Sequence, residues 1–149
     1  MIRSQQFPEA KKKAVVFDLD GTLVDTMKYE KHHKHHHPDF AKEARKADPI
    51  KKNIKRLQNK EDDGDNIVIL TARSAHYREE TEEWLDKHDV KYDKLVMRPE
   101  DDSKTKDAAL KEHLLKSEIL PKYDVIKAYD DKKKNVKMFK AHNIEAKRV

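Results

Sequence analysis

The sequence predicts an α/β domain in which a mostly parallel β-sheet lies between two layers of helices. Short apolar runs, typical of strands that are buried on both faces, recur along the chain. Stretches with apolar residues three or four positions apart, typical of amphipathic helices, alternate with these runs. Because 149 residues is a usual length for one domain, we expect a single three-layer domain over residues 1–149.

Five short segments are predicted to be strands. The first ends at Asp18 and a turn at Gly21, and the second follows the turn-forming segment 62–65. Together the predicted strands cover residues 14–17, 67–70, 94–97, 125–129 and 144–149.

Helices are predicted between the strands from the spacing of apolar residues. Four of them cover residues 39–46, 49–60, 107–116 and 132–141. The remaining helix has one apolar face, formed by Tyr77, Thr81, Trp84, Leu85 and His88. We expect Tyr77 and Trp84 to belong to the core, whereas Tyr29 and Phe40, which flank a basic loop, are the better candidates for stacking on bases.

The composition excludes several classes of protein and site. No cysteine is present, which excludes disulfides, thiolate zinc sites and cysteine nucleophiles and fits a cytoplasmic protein. Gly21 and Gly64 are the only glycines, so the phosphate loops GxxxxGKS/T and GxGxxG are excluded. We expect neither a signal peptide nor a membrane span, because no apolar run approaches about 18 residues. The net charge of +5 suits an anionic partner.

Polar residues that follow the predicted strands point to one site. Ligands of open parallel sheets bind beyond the carboxyl ends of the strands, so side chains at these ends should converge. Crowded carboxylates favour a hard divalent cation such as Mg²⁺, and aspartate is a known nucleophile in phosphoryl transfer. A hydroxyl and a lysine would bind the phosphoryl oxygens. The converging residues are Asp18, Asp20, Thr71, Arg73, Asp130 and Asp131, with Lys111 added from a helix.

Four segments resemble the motifs of the haloacid dehalogenase (HAD) superfamily. Residues 15–23, VVFDLDGTL, are similar to motif I, and residues 67–73, IVILTAR, are similar to motif II. Lys111 fits motif III, and Tyr129-Asp130-Asp131 resembles motif IV. The resemblance runs from about Ala14 to Val149 and implies a three-layer Rossmann-like fold and phosphatase chemistry.

A closer resemblance is to the 3′-phosphatase domain of phage-type polynucleotide kinase/phosphatases. It rests on the turn 71–73, on Arg98 and on the helix start 107–111, DAALK. It implies that Asp18 is the nucleophile and Asp20 the general acid/base, a role for which the pKa of Asp20 must be raised.

The same resemblance implies the other roles in the site. Thr71 and Lys111 would bind phosphate, with Lys106 as the alternative if the helix register differs, and Asp107 would brace the helix. The substrate-binding residues would be Arg73, Arg98 and Thr22. The Mg²⁺ ligands would be Asp18, the Asp20 carbonyl, Asp130 and Asp131.

The segment after motif I bears on the substrate. Only 43 residues, 24–66, separate it from the second strand, so we expect no full helical cap and an open or minimally capped site. Within it, residues 28–60 carry eleven Lys and Arg against four Asp and Glu, which favours nucleic acid as substrate. The histidine run 32–37 is interpreted as a solvated loop near the site rather than a metal site.

The predicted function is a Mg²⁺-dependent phosphatase that acts through an aspartyl-phosphate on the 3′-phosphate of DNA or RNA ends. No phosphate loop is present, so kinase activity on this chain is excluded, and a separate kinase or ligase is the expected partner. We expect the protein to act in the cytoplasm, as a phage-encoded enzyme would in its host. Two alternatives stay open: a 5′(3′)-nucleotidase for free mononucleotides, and a nucleic-acid-binding module whose site is catalytically silent.

Overall fold

The computed structural model describes residues 10–27 and 38–149. The histidine run 32–37 and Tyr29, to which the sequence assigned a solvated loop and base stacking, lie outside this part of the chain. Within the described residues no helix is long and apolar enough to cross a membrane.

The described residues form a five-stranded sheet in which every pair of neighbouring strands is parallel. The strands lie in the order β3-β2-β1-β4-β5. Strand β1 is therefore central, with β2 and β3 on one side of it and β4 and β5 on the other. This confirms the predicted α/β class. The strand bounds are β1 Lys12–Phe17, β2 Asn66–Ser74, β3 Lys94–Arg98, β4 Tyr123–Asp130 and β5 Glu145–Arg148.

Within residues 10–27 and 38–149, five α-helices connect the strands at positions close to those predicted. Their bounds are α1 Pro38–Lys46, α2 Lys51–Asp62, α3 Arg78–Lys87, α4 Asp107–Leu114 and α5 Lys133–Ala141. A short 3₁₀ turn, Ala75–Tyr77, precedes α3. The predicted helix 107–116 is longer than expected, because a π-helical turn continues α4 over Leu115–Ile119. The Leu120 N–H donates to the Leu115 carbonyl at 2.9 Å and so closes this wider turn.

The apolar runs are buried because helices cover both faces of the sheet. In β1, Ala14 and Val16 face one side of the sheet, and Val15 and Phe17 face the other. Successive side chains of a strand point to opposite faces, so a central strand needs apolar residues at every position. The first side packs on residues from α4 and α5, such as Leu110, Leu114, Met138 and Phe139. The second packs on residues from α2 and α3, such as Ile54, Leu57, Trp84 and Leu85.

Strand β4 contains an irregularity that the sequence pattern did not reveal. Ala14 is paired with Val125, but the next residue, Val15, is paired with Lys127, so one residue of β4 is extra. The extra residue is Ile126, which is 38% exposed, and Val125 and Ala128 consequently pack on the same side of the sheet.

The aromatic residues test two expectations about base stacking. Trp84 and Tyr77 are buried as predicted, and the Trp84 indole donates to the Ala47 carbonyl at 2.9 Å. The expectation for Phe40 is wrong. Its ring is fully buried, 5.5 Å from the Tyr77 ring and 5.1 Å from the guanidinium of Arg73, so it has no face left for a base.

Candidate active site

Asp18 occupies the centre of the site because it follows the last residue of the central strand. Its backbone N–H donates to the Tyr129 carbonyl at 2.9 Å, which continues the pairing of β1 with β4 by one residue. Its side chain is 7% exposed and accepts two hydrogen bonds, from Lys111 Nζ at 2.6 Å and from Thr22 Oγ1 at 3.0 Å. The carboxylate is therefore held in one orientation at the carboxyl edge of the sheet.

Lys111 links two carboxylates from different strands. Its Nζ donates to Asp18 Oδ1 at 2.6 Å and to Asp130 Oδ2 at 2.8 Å, and the side chain is almost fully buried. Although burial alone lowers the pKa of Lys111, the charges of Asp18 and Asp130 raise it above the ordinary 10.5. Lys111 is therefore a fixed cation in the site. Lys106, the alternative from the sequence, is exposed at the residue before α4.

Asp130 and Asp131 continue the site from the end of β4. Asp130 Oδ1 accepts from the Lys132 backbone N–H at 3.0 Å and from Asn135 Nδ2 at 3.2 Å. Asp131 differs, since among the described residues its buried Oδ1 has no hydrogen-bond partner. Carboxylate oxygens of Asp18, Asp130 and Asp131 lie within 4.8 Å of one another.

This donor set fits a divalent cation. Burial raises the pKa of Asp18 well above its ordinary 3.8, and the nearby Asp130 and Asp131 raise it further against the opposing effect of Lys111. Burial also raises the pKa of Asp131. A bound cation would offset the crowding of negative charge and would give the unpartnered Asp131 oxygen a ligand role. The Asp20 carboxylate is not part of this cluster of three.

Asp20 is held by Arg73 on the other side of the cleft. Arg73 Nε donates to Asp20 Oδ2 at 3.1 Å, and a second guanidinium nitrogen donates to Oδ1. Arg73 also donates to Thr81 Oγ1 at 2.8 Å, and its side chain is 1% exposed. The geometry gives Arg73 the task of orienting Asp20, and its contact with substrate phosphate stays a prediction.

Thr71 and Thr22 differ in where their hydroxyl groups point. Thr71 lines the cleft beside Asp18 and Asp20, and its Oγ1 accepts from the Arg73 backbone N–H at 3.0 Å. Thr22 is fully buried, and its hydroxyl donates to Asp18. The geometry therefore has Thr22 orient the carboxylate, whereas substrate contact by Thr22 stays a prediction.

Arg98 binds the protein's own groups in this structure. Its guanidinium donates to the carbonyls of Ala72 at 2.9 Å and Thr105 at 2.8 Å and to Asp107 Oδ1 at 3.0 Å. These contacts tie the ends of β2 and β3 to the start of α4, which carries Lys111. Asp107 thus braces this helix as expected, and the predicted contact of Arg98 with substrate phosphate stays a prediction.

Two asparagines support the site, although sequence reasoning did not select them. Asn135 Nδ2 contacts Asp130, and Asn53 Nδ2 donates to the Thr22 carbonyl at 2.9 Å. Both side chains are buried, at 3% and 6% exposure. The sequence feature that could have identified them is their position in the first turn of α2 and of α5. The whole cleft is lined by Asp18, Asp20, Thr71, Ala72, Asp107, Lys111, Lys132 and Asn135.

Gly21 provides a test of the cation site. Its φ of +86° is a left-handed conformation, and a Cβ there would collide with Asp131 Oδ2. We expect MgCl₂ at about 100 times its Kd to raise the melting temperature of the parent protein by about 5–10 °C. Because Gly21→Ala displaces Asp131, we expect this variant to lose most of that rise in a thermal-shift titration.

Gly64→Ala is the matched control for this experiment. Gly64 has a similar φ of +91°, but no atom lies within 4 Å of the position that an added methyl group would occupy. The control therefore suffers the same backbone strain and should keep the full response to Mg²⁺. An equal loss of response in both variants would show that strain, and not Asp131, is responsible.

The chain is similar to a known family of phosphatase domains and to several solved structures. The family model for the polynucleotide kinase PNKP phosphatase domain matches residues 12–149. A chain in the structure of a Pnkp1/Rnl/Hen1 complex superposes with a TM-score of 0.82 and 30% identity, over 94% of this chain and 46% of that one. A class C acid phosphatase from Bacillus anthracis, at a TM-score of 0.61 and 19% identity, shares the fold over 89% of this chain and 56% of its own.

A viral relative covers a shorter region. A protein of Autographa californica nuclear polyhedrosis virus, described as a bifunctional polynucleotide kinase/RNA ligase, is 40% identical over 74 residues. The match covers 49% of this chain and 10% of the viral protein, so the chain spans only a small part of that relative. Since the family match extends over nearly all of the sequence and includes each strand and each acidic residue of the site, the chain belongs to the family of polynucleotide kinase phosphatase domains, within the HAD superfamily of phosphomonoester hydrolases.

Proposed function

We propose that this domain is a Mg²⁺-dependent phosphatase that removes the 3′-phosphate from a polynucleotide end through an aspartyl-phosphate intermediate. The observation that carries the proposal is the position of Asp18, a buried carboxylate fixed by Lys111 and Thr22 beside Asp130 and Asp131. Such a group is oriented for attack in one direction, towards the cleft that Thr71 also lines.

In the first step a carboxylate oxygen of Asp18 attacks phosphorus, and the bond from phosphorus to the 3′-oxygen breaks. The leaving oxygen takes a proton from Asp20, the second carboxyl group of the cleft. Lys111 and Thr71, which both line the cleft, would donate to the phosphoryl oxygens, whose negative charge needs positioned donors. Mg²⁺, held by Asp18, Asp130 and Asp131 with the Asp20 carbonyl, would supply further charge neutralisation and orientation of the phosphate.

In the second step water attacks the aspartyl-phosphate, and Asp20 accepts the proton of that water. This returns Asp18 to a carboxylate and releases inorganic phosphate. Arg73 holds both carboxylate oxygens of Asp20, and the role of Asp20 as acid and base is tested by the pH dependence of kcat.

The substrate class rests on the family and on the names of the relatives. One solved neighbour is a chain of a Pnkp1/Rnl/Hen1 RNA repair complex, with 31% identity, and the viral relative is described as a kinase and RNA ligase. These names support a nucleic-acid end as substrate and a kinase or ligase as partner. We also propose that the protein acts in the cytoplasm of an infected host cell, and the viral relative supports the viral origin.

The proposal is tested by phosphate release with Mg²⁺ from four substrates. They are a 3′-phosphorylated oligonucleotide, its 5′-phosphorylated isomer, a 3′-mononucleotide and a 5′-mononucleotide, each also assayed with EDTA. We expect the highest kcat/KM for the 3′-phosphorylated oligonucleotide. In EDTA we expect no phosphate release from this substrate. Turnover of mononucleotides alone would instead identify a nucleotidase, and salt-dependent oligonucleotide binding without any turnover would identify a silent binding module.

A further inference from the structure

A groove of about 660 Å³ opens beside the catalytic cleft. It lies between the first turns of α4 and α5 and the end of β5. We call it the α4–α5 groove, and its lining residues are Lys106, Asp107, Ala108, Ala109, Asp131, Lys132, Lys133, Lys134, Asn135 and Arg148. The groove is continuous with the cleft, because Asp107, Lys132 and Asn135 line both.

The lining of the groove has a strong excess of positive charge. Five lysine and arginine side chains face two aspartates, and all five are exposed. Asp107 is paired with Arg98 at 3.0 Å, and Asp131 belongs to the carboxylate cluster with Asp18 and Asp130. In the described part of the chain, no carboxylate oxygen lies within 4.0 Å of the side-chain ammonium group of Lys106, Lys132, Lys133 or Lys134. The groove therefore offers a net positive charge to an anionic ligand.

The lysines at the start of α5 lie where a positive charge does not stabilise the helix. Lys133 and Lys134 are its first two residues, and its first turn contains no acidic residue. The positive end of the helix dipole disfavours cations at this position. α3, by comparison, begins with Glu79 and Glu80 in its first turn. Removal of the charges of Lys133 and Lys134 should consequently not destabilise the fold.

We propose that the α4–α5 groove binds the sugar-phosphate backbone of a single-stranded polynucleotide, upstream of the terminal phosphate that reaches Asp18. This inference rests on the proposed function, because that function places the 3′ end of the polynucleotide at Asp18. The volume of the groove lies within the roughly 300–1,000 Å³ that is usual for ligand sites. A strand whose last phosphate lies in the cleft must leave it through an adjoining opening, and this opening is lined by cations suited to the next phosphates. The sequence had pointed instead to the basic segment 28–60.

The test measures binding of a 5′-fluorescein decanucleotide with a 3′-hydroxyl end, which has no 3′-phosphate to hydrolyse. Fluorescence anisotropy gives Kd at several salt concentrations for the parent protein, for Lys133→Gln/Lys134→Gln and for Lys137→Gln/Lys140→Gln. The last variant is the matched control, since its two lysines are exposed on the same helix and do not line the groove. We expect the groove variant to bind about tenfold more weakly, with the slope of log K against log salt reduced by about 2. The control should bind within twofold of the parent.

Each other outcome overturns the inference. Equal weakening in both variants would mean that net charge, and not the groove, governs binding, and an unchanged Kd in the groove variant would place the strand elsewhere. The melting temperatures of the variants separate lost binding from lost folding. Because the decanucleotide is not a substrate, the result is independent of the phosphate-release assay. If the groove variant binds more weakly while the parent protein has no 3′-phosphatase activity, the inferred role of the groove holds and the proposed function is wrong.

Discussion

Replacement of Asp18 by Asn is expected to lower phosphate release by at least about 10⁴-fold, because removal of a nucleophile abolishes the covalent route and leaves only binding and charge stabilisation. The amide oxygen is a far poorer nucleophile than a carboxylate, while its size is nearly the same. The measurement is kcat for the 3′-phosphorylated oligonucleotide at saturating Mg²⁺.

The fold of Asp18→Asn should remain intact. Burial raises the pKa of Asp18, which means that its charged form is disfavoured in the folded protein, and a neutral amide removes that penalty. We therefore expect its melting temperature in EDTA to equal or exceed that of the parent. Asp124→Asn is the control, since Asp124 is exposed near the opposite, amino end of β4, and it should keep full activity. Substantial turnover by Asp18→Asn would contradict the proposed role.

Replacement of Lys111 by Met is expected to reduce the free energy of unfolding at pH 7 in EDTA by about 3–5 kcal/mol. The side chains have similar length, but the variant leaves Asp18 and Asp130 buried without their shared cation. Activity should fall by orders of magnitude as well. Urea denaturation followed by circular dichroism measures the stability.

The loss of unfolding free energy in Lys111→Met should depend on pH in a direction that follows from the pKa of Asp18. Without the lysine, the pKa of Asp18 in the folded state rises further above the unfolded value of 3.8, so the folded state binds more protons in that interval. The free energy of unfolding of the variant therefore falls as pH rises through this interval, and the deficit shrinks as pH is lowered towards 3.8. In the parent, the titration of Lys111 itself removes stability only above its ordinary pKa of 10.5, as pH rises through its higher folded pKa.

Lys127→Met is the control for this second experiment. Lys127 pairs with Glu145 at 3.4 Å, but the glutamate is 73% exposed, and such surface pairs contribute about 0–1 kcal/mol. We expect a change below about 1 kcal/mol with little dependence on pH. A similar deficit in both variants, or a deficit in Lys111→Met that persists at pH 4, would refute the account of a buried shared cation.

Local pattern was enough to predict most elements, and it failed where a contact from a distant segment decided the outcome. The apolar runs of β1 and β2 identify buried strands because a central strand is apolar at every position. Phe40 was misjudged because it lies in the basic segment 28–60, whereas its cover comes from Tyr77 and Arg73, more than 30 positions away. The extra residue in β4 was invisible for the same reason, since a bulge is defined only by the pairing partner.

The sequence by itself determined the fold class, the exclusion of glycine-loop and cysteine chemistry, and which acidic residues follow the strands. Only the tertiary structure decided how those residues are held. Lys111 lies 93 positions from Asp18 and bridges it to Asp130, and Arg73 lies 53 positions from Asp20 and orients it. The basic groove likewise joins Lys106, residues 132–134 and Arg148. The physical reason is that a buried charge is tolerated only beside an opposite charge or a hydrogen-bond donor, and folding alone brings those partners together.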